Sequence, residues 1–177
     1  MKDVRLDSPL QGELIALQEV NDPVFSGGIM GRGGAVKNPA GRVTAPFDGE
    51  ITSVFDTKHA IGLLSDDGIE LLIHVGLDTV NLKGKYFTAH VQAGDKVKKG
   101  DLLLEFDAAG IRHEGYDTTT PVVVANADEF GKITLELQGN KVSSVNESAG
   151  ENDKSAERMG DNKMESREER VAARIAE

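Results

Sequence analysis

Eight short apolar runs constrain this chain more than any other feature. They are "GELIAL", "GRVTAP", "GEITSVF", "IGLLS", "IELLIHV", "DLLLEFD", "PVVVAN" and "KITLEL", and Gly, Pro, Asp or Asn separates each from the next. Runs this short, rich in Val, Ile and Leu and bounded by turn formers, read as strands. No segment among them keeps a long helical period. "DTVNLKGKYF" has room for one short helical turn. Many short strands at close spacing predict an all-β fold, an antiparallel β-sandwich or barrel with short helical turns.

That pattern stops near residue 145. The remainder, "NESAGENDKSAERMGDNKMESREERVAARIAE", has few large apolar residues and dense mixed charge. It cannot bury enough surface to offset the entropy of ordering, so the expected division is one folded domain over 1–145 and a charged, disordered tail over 146–177. Val171 and Ile175, four apart, would give the end of the tail only a marginal helix.

Charge and composition remove several function classes. The formal net charge of -10 is wrong for a nucleic-acid binder, which needs Lys and Arg in excess. The chain has no cysteine, which excludes disulfides, thiolate metal sites and a Cys nucleophile. No apolar run approaches the roughly 18 residues of a membrane span. "MKDVRLDSPLQGEL" lacks the apolar core of a signal peptide, so the expected location is cytoplasmic.

"VQAGDKVKKGDLLLEF" has a V-x-x-G-D-x-V-x-x-G-D rhythm, with glycines suited to tight turns and valines directed inward. Biotinyl and lipoyl carrier domains and lysostaphin-type zinc peptidases share such turns. A carrier needs a modifiable lysine between methionines on a hairpin. No "MKM" occurs, and Lys85, Lys96 and Lys98 lie in the wrong context. The peptidases need an H-x-H pair, which is also missing.

Two histidines fall in the most apolar region, His59 in "FDTKHAIG" and His74 in "ELLIHVG". Strand alternation puts Leu71, Ile73 and Val75 on one face and Leu72 and His74 on the other. A lone strand histidine is as often structural as functional. "AIGLLSDDGIELLI" changes that balance, because it reads as a hairpin turning at Asp66-Asp67-Gly68 and so brings residues 59 and 74 near each other. Two imidazoles on one apolar patch admit metal binding, general acid–base work or phosphoryl relay.

"APFDGEI", "FDTKHAIGLLSDDGIELLIHVGLDTVNLKGKYF", "VQAGDKVKKGDLLLEFD" and "TPVVVAN" together resemble the glucose-type enzyme IIA (EIIA) domain of the bacterial phosphoenolpyruvate:sugar phosphotransferase system, over roughly residues 5–139. The resemblance implies an antiparallel sandwich of duplicated hybrid motifs. It implies that His74 accepts a phosphoryl group from the carrier protein HPr and donates it to the IIB domain of a sugar permease. His59 would steady the transferring group, Thr57 would hydrogen-bond the histidine pair, and the Gly76 carbonyl would hold the His74 Nδ1 hydrogen. Phe55 and Leu72 would form an apolar rim that excludes water and receives partners, although core packing is the competing reading for each. Asp78 would keep one acidic docking position. In "IMGRGGAVKNP", Arg32 stands where the family commonly has an acidic residue that pairs with an arginine of HPr, which places Arg32 on the expected partner-binding rim.

No cofactor and no metal is implied for the transfer itself. The alternative reading is a regulatory module that inhibits transporters or kinases through the same histidine face, with His59 and His74 as zinc ligands alongside a partner carboxylate. A metallohydrolase is a weaker third. The sugar served is not encoded in these residues, because sugar recognition belongs to the membrane IIC domain.

Overall fold

The computed structural model describes residues 2–137; the expected tail at 146–177 lies outside the described residues. Twelve strands follow in chain order: β1 (Val4–Asp7), β2 (Glu13–Ala16), β3 (Arg32–Lys37), β4 (Arg42–Thr44), β5 (Gly49–Val54), β6 (Ala60–Ser65), β7 (Glu70–His74), β8 (Phe87–Ala89), β9 (Lys96–Val97), β10 (Leu102–Phe106), β11 (Thr120–Val124) and β12 (Ile133–Glu136). All eight apolar runs contain strands. The four the runs do not cover, β1, β3, β8 and β9, are short, glycine-bearing or charged.

The largest sheet has the order β2-β3-β11-β7-β6-β5-β9, and every pairing in it is antiparallel. A three-stranded sheet, β4-β10-β8, and a parallel pair, β1-β12, complete the fold. The sheets stay open at their edges, so the fold is a sandwich and not a closed barrel. The main core lies between them and includes Ile51, Ile61, Leu63, Ile73, Leu103, Leu104 and Ile111, all at most 1% exposed. Removing a Leu or Ile from such a site costs about 2–5 kcal/mol.

The outer face of the large sheet carries a second, smaller core. Leu17, Val20 and Phe25 come from the segment after β2 and pack on Ala35, Val123 and Leu77, with Leu72 against them. That segment holds a 3₁₀ turn (Leu17–Glu19) and the short helix α1 (Pro23–Ser26). Asp22 begins α1, its Oδ1 accepting from Val24 N at 3.0 Å, with Pro at the first helical position.

Local chemistry explains the glycine–aspartate rhythm. Gly94 and Gly100 have φ of 96° and 95°. Asp95 Oδ2 accepts from Gln92 N at 2.9 Å, and Asp101 Oδ2 accepts from Lys98 N at 2.8 Å. Each aspartate thus closes the turn its preceding glycine permits, and the repeat in sequence is one turn used twice.

The β6–β7 hairpin turns where the sequence predicts. Ser65 N donates to Ile69 O at 2.9 Å, and the Ser65 hydroxyl accepts from Ile69 N at 2.9 Å. The register pairs Ala60 with His74, and Val75 N donates to His59 O at 2.7 Å. On the other side of β7, the ladder with β11 begins at Val122↔Ile73. The residue before it, Pro121, has no N–H to offer. β7 therefore loses its β11 partner at His74, where its chain turns away.

Candidate functional site

His74 ends β7 and is half-buried, while His59, just before β6, is only 3% exposed. Their ring centroids are 4.7 Å apart and their planes cross at 84°. Alternation along β7 gives this placement directly. Leu71 and Ile73 point into the main core, so Leu72 and His74 face outward onto the second core.

Both Nδ1 atoms are engaged. His74 Nδ1–H donates to the Gly76 carbonyl at 2.8 Å, because a carbonyl oxygen can only accept. His59 Nδ1 and the Thr57 hydroxyl share a hydrogen bond of 2.6 Å. The His74 tautomer is thereby set, and its Nε2 carries the lone pair.

The environment keeps both rings neutral. Burial, together with the charge of His74 when that ring is protonated, lowers the pKa of His59 to about 4. Burial also lowers that of His74, opposed by the Gly76 hydrogen bond and by the carboxylates of Asp22 and Asp78. At neutral pH both rings are uncharged, as an imidazole nucleophile requires.

Aromatic rings frame the pair. Phe55 meets His59 edge-on at 5.5 Å, and Phe25 lies 5.0 Å from His74. Phe55 is 44% exposed, and Val24, next to Phe25, and Val80, just after Thr79, are also exposed apolar residues. Leu72 is half-buried against the second core, so it packs and borders the site at once. Asp78 is exposed, in the left-handed region at φ 61°.

Arg32 begins β3. Register pairs it with Val124, and Val124 with Leu71, which puts it on the face opposite Leu72 and His74. Its guanidinium donates to the carbonyls of Ala127 at 2.7 Å and Phe130 at 3.2 Å, closing the 3₁₀ turn Ala127–Glu129. Arg32, expected on the partner-binding rim, is exposed and ties the start of β3 to the segment that follows β11. The carboxylate that joins Asp78 in acting on His74 is Asp22.

Asp22 and Phe25 were not among the residues singled out from the sequence. The only signal they carry is the helix start in "NDPVF". The other histidines lie elsewhere: His90 Nε2 meets Glu105 Oε1 at 2.8 Å, and His113 belongs to the helix α2 (Ala108–His113). Among the described residues, no group of three or more His, Asp or Glu could hold a metal ion, and none of the helices is long and apolar enough to cross a membrane.

Residues 4–130 match the family model for the phosphoenolpyruvate-dependent sugar phosphotransferase system, EIIA 1. The chain is similar to a PTS system beta-glucoside-specific EIIBCA component of Dickeya chrysanthemi, 52% identical over 130 residues, covering 73% of this chain and 21% of that protein. It thus spans about a fifth of the length of such relatives. It is also similar to a PTS system glucose-specific EIIA component of Oceanobacillus iheyensis, 47% identical over 151 residues, covering 85% of this chain and 88% of that one. Among solved structures it resembles the glucose permease IIA from Mycoplasma capricolum, with a TM-score of 0.67 and 33% identity over 78% of this chain and 92% of that one.

Proposed function

Since the chain belongs to the EIIA 1 family of the phosphoenolpyruvate-dependent sugar phosphotransferase system, we propose that it carries a phosphoryl group on His74 Nε2 between HPr and a IIB domain. In the first step the P–N bond to the histidine of phospho-HPr breaks, and a P–Nε2 bond to His74 forms. In the second, that bond breaks as the IIB cysteine takes the group. His74 keeps its Nδ1 proton throughout, donated to Gly76.

One observation supports this reading above the rest: the 2.8 Å bond from His74 Nδ1 to Gly76 O, which leaves Nε2 as the available nucleophile beside a second, buried imidazole. Phosphoryl transfer needs in-line positioning and donors for the equatorial oxygens, and neither requires a metal on this protein. His59, held by Thr57, offers its Nε2 to those oxygens. Phe25, Phe55 and Leu72 limit water at the phosphohistidine. Asp22 and Asp78 present negative charge beside the nucleophile, suited to a cationic partner surface. A cytoplasmic location follows from this role.

The test is incubation with phosphoenolpyruvate, enzyme I and HPr, read by intact mass. The parent should gain one phosphate, His74→Ala none, and His59→Gln one phosphate that passes poorly to IIB. A His74→Ala protein labelled as well as the parent would remove His74 from the role.

A further inference from the structure

The bond that sets the His74 tautomer depends on a carbonyl in an unusual stretch of backbone, and the structure shows what holds that carbonyl. Gly76 has φ of 80°, and Asp78, two residues on, is also left-handed at 61°. Such a turn has alternatives close in energy unless its peptides are pinned. Both peptides flanking Gly76 are pinned. The Leu77 N–H, in the same peptide unit as the Gly76 carbonyl, donates to Asp117 O at 2.9 Å. The Val75 carbonyl, in the preceding unit, accepts from the hydroxyl of Thr79.

Thr79 is fully buried, opening the 3₁₀ turn Thr79–Leu82. Its methyl also closes the space beneath Gly76: a Cβ added there would lie 2.5 Å from Thr79 Cγ2 and 3.0 Å from Asp117 O. The hydroxyl fixes one peptide, and the methyl blocks the volume into which the turn could collapse.

We propose that Thr79 is a positioning residue for His74, acting through the Gly76 carbonyl to hold imidazole Nδ1 protonated and Nε2 aimed outward. This rests on the reading of His74 as phosphoryl carrier for its functional consequence, while the tautomer itself is a property of the unphosphorylated chain. Without the hydroxyl, the Val75 carbonyl is left without that partner in a buried site, and the turn gains a reason to rearrange. The Gly76 oxygen then moves relative to Nδ1. Displacement of that order at a reacting group lowers rate by about tenfold to a hundredfold.

The experiment uses three variants, two-dimensional nitrogen–proton NMR of the imidazoles, and steady-state phosphorylation by phospho-HPr. In the parent, His74 should show one tautomer, protonated at Nδ1. Thr79→Val, close in shape but lacking the hydroxyl, should show exchange between tautomers and a kcat about tenfold or more lower, with KM for phospho-HPr within about twofold of the parent. Thr79→Ser, which keeps the oxygen, should restore the tautomer and most of the rate. Should Thr79→Val fail to fold, Thr79→Ala against Thr79→Ser isolates the same oxygen. A folded hydroxyl-free variant with the parent tautomer and rate would overturn the proposal, as would Thr79→Ser losing as much as Thr79→Val. If the parent takes no phosphate, the carrier reading fails, and the tautomer comparison still decides what Thr79 does.

Discussion

His59, just ahead of β6, and His74, at the end of β7, meet edge to face with 4.7 Å between centroids, the first buried and the second half-buried. Two imidazoles this close cannot both be charged without repulsion, and burial already disfavours the first charge on either. The pair is built to stay neutral, His59 as the more deeply depressed member.

The pH dependence of stability follows with a definite sign. The unfolded His59 binds its proton near 6.5, and the folded one near 4. Between these values the unfolded chain holds more protons, so stability falls as pH drops through that window and does not depend on this group above it. The shift from 6.5 to about 4 corresponds to about 3 kcal/mol. Urea unfolding of the parent and His59→Gln at a series of pH values should show a shallower acid slope for the variant, while above pH 7 the two curves should run parallel. Equal slopes between pH 4 and 6.5 would contradict the burial of a neutral His59.

The titration of His74 responds to its carboxylates. Burial should hold its midpoint below the ordinary 6.5, while Gly76, Asp22 and Asp78 each favour its protonated form and oppose that shift. Asp22→Asn keeps the cap on α1 and removes one negative charge, so the His74 midpoint should fall further. Imidazole Cε1–H shifts followed by NMR measure both. A midpoint raised by Asp22→Asn would mean the carboxylate does not act on this ring.

The parts of the site that share the hairpin were legible in the sequence. Asp66-Asp67-Gly68 marks the turn, and the alternation of Leu71, Leu72, Ile73 and His74 assigns the faces. Both signals are local. Phe25 and Asp22 reach His74 from 49 and 52 residues away in sequence by packing over the outer face of the sheet, and no local pattern encodes that. The face that Arg32 takes was not legible for a different reason. A turn motif fixes a position along the chain but not the parity of the strand it enters, and a one-residue change of parity moves a side chain to the other face. Gly33 pairs with Val123 on the histidine side, and Arg32 therefore points away.

Asp22 and Asp78 should also govern encounter with a cationic partner. Neutralising either, as Asn, should slow phosphorylation by HPr at low salt, mainly through the association rate. The difference should shrink as salt shortens the screening length to about 8–10 Å. Rapid-quench kinetics across a salt series separate the two contributions. A rate loss that persists undiminished at high salt would mean the carboxylates act on the chemical step and not on docking.

Arg32 gives the converse expectation. Its guanidinium satisfies two backbone carbonyls of the segment that joins β11 to β12, and β12 in turn pairs with β1. Arg32→Ala should cost about 1–3 kcal/mol, the range for hydrogen bonds to a charged group, because one of the freed carbonyls belongs to the buried Ala127. Both bonds leave one nitrogen, Nη2, so Arg32→Lys, which keeps a charged donor on a shorter stem, should recover part of the loss. Neither change should alter the rate at which HPr phosphorylates the folded protein, at any salt, since the side chain lies on the face away from His74. Urea denaturation beside the phosphorylation assay tests both halves. An Arg32→Ala protein of parental stability but altered, salt-dependent phosphorylation would return Arg32 to the partner-binding rim and reject the bracing role.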